Sequence, residues 1–388
     1  MSQFKRFEVY FAASTILAGT ILGAGIFSLP YIFSQSGSLI FLFYLALATI
    51  ICTITHLIFG ESLLRTKEEH RFIGLAEIYL GPWAKKLVTL TTFISVGGCL
   101  LAYLILGGQF IYNFFNIIGH PIDLNLAVLL LWFLGSLGVV LGIKFISIGE
   151  AMGAILILVL IFTFFIFGIP HLNLSQIPLI NFKEFFLPYG VLLFALSGGS
   201  AVPEIFNYFR KKSLTPHEIN FKKPIILGSI APAFLYLIFV LGAIGILGAH
   251  NISWDVVPQL VAKNPILGMA TDLLGLVLII TSYFILAFNF KNSLILDLKL
   301  QPKIAWLIPV VLPLLLYQLG IHNFIKVIGF LGAFILGIES LLNFLIHKKA
   351  QTKGNQTPPY LIKIPSALRI ILIALLVFGA IFEIVNNF

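Results

Sequence analysis

Charge is what this chain has least of. Asp, Glu, Lys and Arg make up 10% of its 388 residues, where a soluble domain carries roughly 25%. So little charge cannot dress a water-facing surface, and a mean hydropathy of +1.06 points the same way. Cysteine is nearly absent. Cys52 and Cys99 both fall inside apolar runs, which excludes a disulfide framework. No nucleophile elbow, phosphate-binding loop or carboxylate pair of a membrane transferase occurs, so the chain does not read as an enzyme. His56 has no partner at metal-ligand spacing, so no metal centre is expected. Nor is there room for an inserted soluble domain, since the longest polar stretches are 65–86, 210–223 and 347–366. No cleavable signal peptide is visible, because the first apolar segment is too long for one and lacks a small-residue cleavage site.

What the chain does have is long apolar runs. About 20 mostly apolar residues cross a bilayer. Eleven such spans are predicted, at 9–33, 38–64, 87–117, 124–143, 147–169, 187–209, 224–248, 265–290, 304–320, 326–346 and 367–386. The net charge of +9 is no nucleic-acid signature, because the basic residues sit in short loops between spans. With the N-terminus in the cytoplasm, 21 Lys and Arg fall on the inner side and 3 on the outer, at Lys183, Lys263 and Lys326. That bias fixes the predicted orientation in the cell's inner (plasma) membrane, with Asn386, Asn387 and Phe388 outside. Residues 66–86 read as a short interfacial helix on the inner surface, and 252–263 as a short outer helix over the site.

Two spans are broken by glycine. The first reads Gly19-Thr20-Ile21-Leu22-Gly23-Ala24-Gly25-Ile26-Phe27-Ser28-Leu29-Pro30, the sixth Phe194-Ala195-Leu196-Ser197-Gly198-Gly199-Ser200-Ala201-Val202-Pro203-Glu204. An unsatisfied backbone group in lipid costs several kcal/mol, so a span unwinds only where the freed groups line a buried cavity. Paired interrupted helices point to the substrate site of a transporter. Glycines permit the unwinding, and the following prolines are expected to distort the second halves further. The two spans run in opposite directions, which implies an inverted repeat: spans 1–5 (residues 1–170) against spans 6–10 (187–346), with 347–388 as an inner loop and accessory span 11. Amides freed at a half-helix start suit a carboxylate, and carbonyls freed at a half-helix end suit an ammonium or metal cation. One cavity holding both fits an α-amino acid. The plain alternative for glycine is close helix packing, which Gly97, Gly98, Gly107, Gly108, Gly135 and Gly138 are expected to serve.

At these residues the sequence resembles the amino acid/polyamine/organocation transporter superfamily, in its amino acid/auxin and aromatic amino acid permease branches. AGTILGAGIFSLP matches the GTxxGAGxLxLP pattern of the first span, and LFALSGGSAVPEI resembles the FAxxGxxxxPEI signature of the sixth. ITSYFILAFNFKNSLILDLK is similar to the eighth span of the aromatic permeases, and RFIGLAEIYLGPWAKKL to the loop ahead of span 3. Asn289 and Phe290 stand where the aromatic group has Phe-Asp, which points away from an aromatic substrate.

The resemblance implies an all-α, LeuT-like five-plus-five inverted repeat working by alternating access. It implies that amides of Ala24, Gly25 and Ile26, beside Gly23, hold the substrate carboxylate. Carbonyls near Phe194, Ala195 and Ser197 would take the ammonium, and Gly198 and Gly199 would leave room for the side chain. Thr20 would face the same cavity. Tyr103 either offers its hydroxyl to the carboxylate or is an ordinary buried aromatic.

No cofactor is expected beyond a coupling ion, Na+ or H+. In sodium-coupled members a hydroxyl pair like Thr281 and Ser282 completes a site with carbonyls here near Gly19, Leu22 and Leu278. The alternative is that these hydroxyls bond their own helix. The absence of a lysine in the middle of span 5 favours sodium. Acids at Glu61, Glu150, Glu204, Asp272 and Glu339 lie in or near spans, where acids default to function. Glu204 is expected to pair with Arg210 or its basic neighbours, and Asp272 is a candidate for proton coupling. The sequence therefore reads as an importer of a neutral amino acid. A proton-coupled aromatic permease and a non-transporting sensor are the alternatives, and no oligomeric state is specified.

Overall fold

The computed structural model describes residues 3–67, 70–141, 143–212, 220–248, 252–296 and 298–387. Apart from turns and connecting segments, the described residues are helical. It runs α1 (Gln3–Ile21), a 3-10 turn (Ala24–Ser28), α2 (Leu29–Ser36), α3 (Ser38–Leu64), α4 (Phe72–Leu80), α5 (Pro82–Ile117), α6 (Leu124–Leu141) and α7 (Ile143–Gly168). It continues with α8 (Leu187–Ala195), a 3-10 turn (Gly199–Ala201), α9 (Val202–Lys211), α10 (Lys222–Leu247), α11 (Val257–Lys263), α12 (Pro265–Leu296) and α13 (Pro302–Gln318). Last come α14 (Phe324–Phe330), a π turn (Leu331–Ile335), α15 (Leu336–Lys353) and α16 (Ser366–Asn387). Among the described residues, 7 helices are long and apolar enough to cross a membrane, or 8 if the bent pair Phe7–Ile21 and Ala24–Ser36 is one span. Leu124–Leu137, Ile155–His171 and Pro302–Gln318 are shorter apolar helices. Large apolar side chains such as Phe43, Phe133, Phe234 and Ile266 are exposed around the bundle. Water does not tolerate such a belt, and lipid does.

Both predicted breaks are present. The first bends the chain by 52°. The prolines, however, do not distort the second halves. Pro30 lies in the first turn of α2 and Pro203 in the first turn of α9. The first turn has no intrahelical use for an amide hydrogen, and the fixed φ of proline is already helical there. Each proline therefore restarts the helix that the glycines stop.

α1 begins on one side of the bundle, here termed the N-terminal side; the opposite is the far side. α1 packs on α10, α10 on α7, and α5 on α6, α12 and α13. Two seams bring backbones into direct contact. Gly168 of α7 faces Gly242 and Gly245 of α10, and Gly190 of α8 faces Gly329 and Gly332 on span 10. A Cβ at Gly332 would overlap the Gly190 carbonyl and come within 2.8 Å of the Phe194 amide. The π turn thus holds α8, the first half of a broken span, at closest approach. At the far side Gly37, with φ of 91°, turns the chain from α2 into α3. Ser38 and Leu39 there donate to the carbonyls of Pro178 and Leu179, both at 3.0 Å, tying the two halves of the chain together.

Gly332→Val should cost about 3 kcal/mol, as overpacking of a filled core does. Gly337→Ala, whose new Cβ would meet nothing nearer than the Leu376 carbonyl at 3.7 Å, should be neutral or mildly stabilising. Melting of the detergent-solubilised variants separates the two.

Candidate functional site

The two breaks touch. A Cβ on Gly25 would stand 2.9 Å from the Ala195 Cβ and 3.0 Å from its Cα, with the Phe194 ring at 3.7 Å. Only hydrogen fits between the first 3-10 turn and the end of α8. The amides of Gly23, Ala24 and Gly25 find no carbonyl. The first to do so is Ile26, which donates to Gly23 O at 3.3 Å. So of the three amides expected at the carboxylate, those of Ala24 and Gly25 are free and that of Ile26 is engaged in the turn. The Gly23 amide meets the Tyr236 hydroxyl oxygen instead, which leaves the orphan amides of Ala24 and Gly25 at a helix start as a ready anion site.

The carbonyls at the end of α8 are more occupied. Phe194 O accepts from the Ser197 amide at 3.2 Å and from Ser197 Oγ at 2.9 Å. Ala195 O accepts from the Tyr236 hydroxyl at 2.9 Å, and the same hydroxyl donates to Ile21 O at 2.6 Å. Tyr236, on α10 and fully buried, therefore clasps the broken ends of both spans. Sequence reading missed it, because in the run Ala233-Phe234-Leu235-Tyr236-Leu237 it looks like core. His56 of α3 was also missed. Its Nε2 accepts from the Gly198 amide at 3.2 Å, and its Nδ1 lies 2.9 Å from Ser229 Oγ. An amide can only donate, so the ring is assigned the neutral tautomer with its proton on Nδ1, donating to Ser229. Its partners are 142 and 173 residues away in the chain, beyond any local motif.

Gly198 does not open a cavity. A Cβ there would meet Ile21 Cγ1 at 2.6 Å and Leu17 Cδ1 at 2.9 Å, so its size serves the contact with α1. Gly199 and Gly19 meet nothing within 4 Å. Thr20 is exposed and donates to Ile16 O at 3.0 Å, and Ser200 is exposed as well. Hydroxyls at this depth facing hydrocarbon would be costly, so this face fits water reached from the N-terminal side. The far side is shut. Phe27, just past the first break, packs edge-on against Phe110 of α5 and Phe239 of α10, with ring centroids 5.1 and 6.5 Å away, and Phe164 of α7 backs Phe239.

Tyr103 of α5 reaches the first break. Its hydroxyl lies 3.8 Å from where a Gly23 Cβ would be and interacts with Ser282 of α12. Thr281 spends its proton on its own helix, donating to Val277 O and Leu278 O, both at 3.0 Å. Its oxygen faces Gly153 of α7. The carbonyls of Gly19 and Leu22 receive no amide.

The acids differ widely. Glu61 is fully buried and satisfied: it accepts from Arg65 Nε at 2.9 Å, His347 Nε2 at 3.0 Å and the Ile362 amide at 2.7 Å. Those bonds strap the segment after α15 to the end of α3. Glu204 is exposed and accepts from Asn207 at 3.3 Å. Glu339 is half-buried beside Thr91. The side chain of Glu150 lies outside the described residues. Asp272 is fully buried, and among the described residues neither of its oxygens has a hydrogen-bond partner.

A helical membrane protein that turns two broken helices toward one another is a transporter by class. The chain belongs to the tryptophan/tyrosine permease family, which it matches over residues 7–385. It is 24% identical over 338 residues to "Glutamine transporter 2" of Aliivibrio fischeri (strain ATCC 700601 / ES114), covering 84% of this chain and 85% of that one. Its fold is similar to that of MhsT, solved in complex with L-phenylalanine, with a TM-score of 0.60, 15% identity, and 96% and 97% of the two chains covered. It is thus an amino acid transporter of the permease type, spanning the membrane several times, and not an enzyme.

Tyr236→Phe leaves Ile21 O and Ala195 O buried without their donor. The expected loss is roughly 1–3 kcal/mol, visible as a lower melting temperature and weaker amino acid binding by the purified protein.

Proposed function

We propose that the protein imports a neutral α-amino acid by cation-coupled symport through alternating access. The observation that carries this is the contact at Gly25 and Ala195, with the unpaired amides of Ala24 and Gly25 beside it. These amides would bind the substrate carboxylate. The ammonium would lie toward the carbonyls of the breaks, where Phe194, Ala195 and Ser197 share the space with Gly19, Thr20 and Leu22. The side chain would extend past Gly199. Tyr103 would close over the carboxylate.

In this reading eleven spans cross the inner membrane with the N-terminus in the cytoplasm, and spans 1–5 and 6–10 form the inverted repeat. The bundle of α1–α3 and α8–α10 rocks against α5, α6, α12 and α13. The N-terminal side is then the cytoplasmic side, and the conformation described is closed outward. For coupling, the free carbonyls of Gly19 and Leu22, with Leu278, Thr281 and Ser282, make a candidate sodium site of hard oxygen ligands. The glutamine-transporting relative supports a neutral, polar substrate. The family name supports the second reading, a proton-coupled permease for aromatic amino acids.

Two measurements separate these. Glutamine, tryptophan and tyrosine uptake into proteoliposomes is driven either by a sodium gradient at fixed pH or by a pH gradient without sodium. Sodium-driven glutamine uptake is the expected result; pH-driven uptake of aromatics alone would replace it with the second reading. Gly25→Leu should abolish substrate-induced thermal stabilisation while the protein still purifies as a folded membrane protein, and unchanged uptake by that variant would overturn the site.

A further inference from the structure

The far side holds a polar group that nothing in the transport site uses. Asp272 sits two turns into α12 with 0% of its surface exposed, and among the described residues neither carboxylate oxygen has a hydrogen-bond partner. An ionised carboxylate so placed is among the most expensive groups a protein can bury. Its charged neighbour makes matters worse, because that neighbour is another carboxylate, Asp255, in the segment that leads into α11.

The two acids are not equivalent. Asp255 is surrounded by donors. Asn113 Nδ2 of α5 reaches both its oxygens, at 3.3 and 3.1 Å, and the Val257 amide donates at 3.2 Å. Gln109 Nε2 donates to Asn113 Oδ1 at 3.2 Å, which fixes the Asn113 amide with its nitrogen toward Asp255. Burial pushes the Asp255 carboxyl up, and the donors from Asn113, Val257 and Gln109 oppose that. Asp272 receives no donor. A proton held by the pair therefore rests on Asp272, and the anionic charge on Asp255, where donors meet it. A metal ion is the poorer occupant, because two carboxylates are the whole acidic set and no group of three candidate ligands occurs among the described residues.

Among the described residues, most other charged groups near the elements packed on α12 are engaged or exposed. His120, beyond α5, is exposed, and His250, ahead of the Asp255 segment, lies outside the described residues. Asp123 caps α6 through the Asn125 amide at 2.8 Å. Lys263 is exposed at the end of α11, and His171, beyond α7, interacts with Phe167 O. Lys303 lies at the start of α13, on the N-terminal side, and the side chain of Glu150 on α7 is not described.

We infer that Asp272 and Asp255 form a proton-binding site under α11, holding one proton while the far side is closed. The position gives the proton a consequence. α11 packs on α12 and touches α10 and α5, with Val257 and Leu260 fully buried. It is the element that covers this end of the bundle. Release of the proton leaves a charged carboxylate, with a second one in its field, in a buried space. Water must then enter, and water enters only if α11 lifts. A group that holds its proton more tightly in the closed state than in the open one favours closure at low pH, and that preference is lost as pH rises. Closure of the far side is thus tied to protonation from that side, whichever cation drives transport.

Infrared difference spectroscopy of the full chain in lipid nanodiscs, titrated from acid to alkaline pH, tests this without any transport. Wild type should show the carbonyl stretch of a protonated carboxyl group persisting at neutral pH and titrating as one proton. Asp272→Asn should remove that band, while Glu339→Gln should leave it. Asp255→Asn should keep it and shift its midpoint by on the order of one pH unit, since the neighbouring charge is gone. No band in wild type at neutral pH overturns the site, as does a band that survives Asp272→Asn. The wild-type spectrum and Asp255→Asn decide the question even if Asp272→Asn does not fold. A thiol placed at Val257 (Val257→Cys), with Cys52 and Cys99 replaced, should gain reactivity toward an impermeant reagent with rising pH more steeply than thiol ionisation alone gives, as calibrated by the same thiol in an Asp272→Asn background. The same pH dependence in both backgrounds would overturn the link to closure. The proton site stands or falls separately from the amino acid reading, because neither readout requires substrate.

Discussion

Everything in this fold turns on where the backbone groups released by two broken helices find partners. At membrane depth no water is at hand to satisfy them, so every freed amide and carbonyl needs a protein group or a ligand. The chain settles most of them with four side chains: one tyrosine hydroxyl bridges Ile21 O and Ala195 O and takes the Gly23 amide, one imidazole nitrogen takes the Gly198 amide, and Ser28 and Ser197 bond back to Gly25 O and Phe194 O. What remains unpaired at the first break, among the described residues, is the amides of Ala24 and Gly25 and the carbonyls of Gly19 and Leu22. The gap left by the internal pairing is a helix start whose chemistry suits an anion.

The rest of the architecture holds those two ends in register. The closest backbone contacts are the α7 and α10 seam and the α8 seam with the π turn. Both press on helices that carry or clasp the breaks, and in both the absence of a Cβ is what allows the approach. A π turn adds a residue to the helical ladder and is often found at functional sites. Here it fits span 10 around Gly190. The aromatic cluster of Phe27, Phe110, Phe239 and Phe164 then closes one side of the site with groups from four different elements, so that any opening on that side has to separate them. The fully paired Glu61 on the N-terminal side contrasts with the donor-free Asp272 on the far side. One reads as a structural strap, the other as a group waiting for a proton.

Much of this was legible along the chain. Apolar run length located the helices, and the glycine clusters located the breaks, since both are local properties of the backbone. The same local reading misjudged the prolines. Pro30 and Pro203 look like disrupters in a continuous span, but they stand in the first turn of a new helix, where a missing amide hydrogen costs nothing. Gly198 was read as room for a substrate, yet its small size is taken up by Ile21 and Leu17 of α1. Thr281 left two readings open, and its hydroxyl proton goes to its own helix.

The sequence by itself determined that this is a membrane chain and where two of its apolar runs unwind, while of the eleven spans it predicts 7 or 8 are helices long and apolar enough to cross among the described residues. The membrane character and the unwinding follow from hydropathy and from glycine's lack of a side chain, which act over a few residues. Only the tertiary structure decided which groups face the breaks. Tyr236 and His56 act on backbone atoms 41 to 215 residues away, and a tyrosine or histidine in an apolar helix carries no local mark of such a partner. The same holds for Asp272: its position was visible, but its lack of any donor is a property of what packs around it.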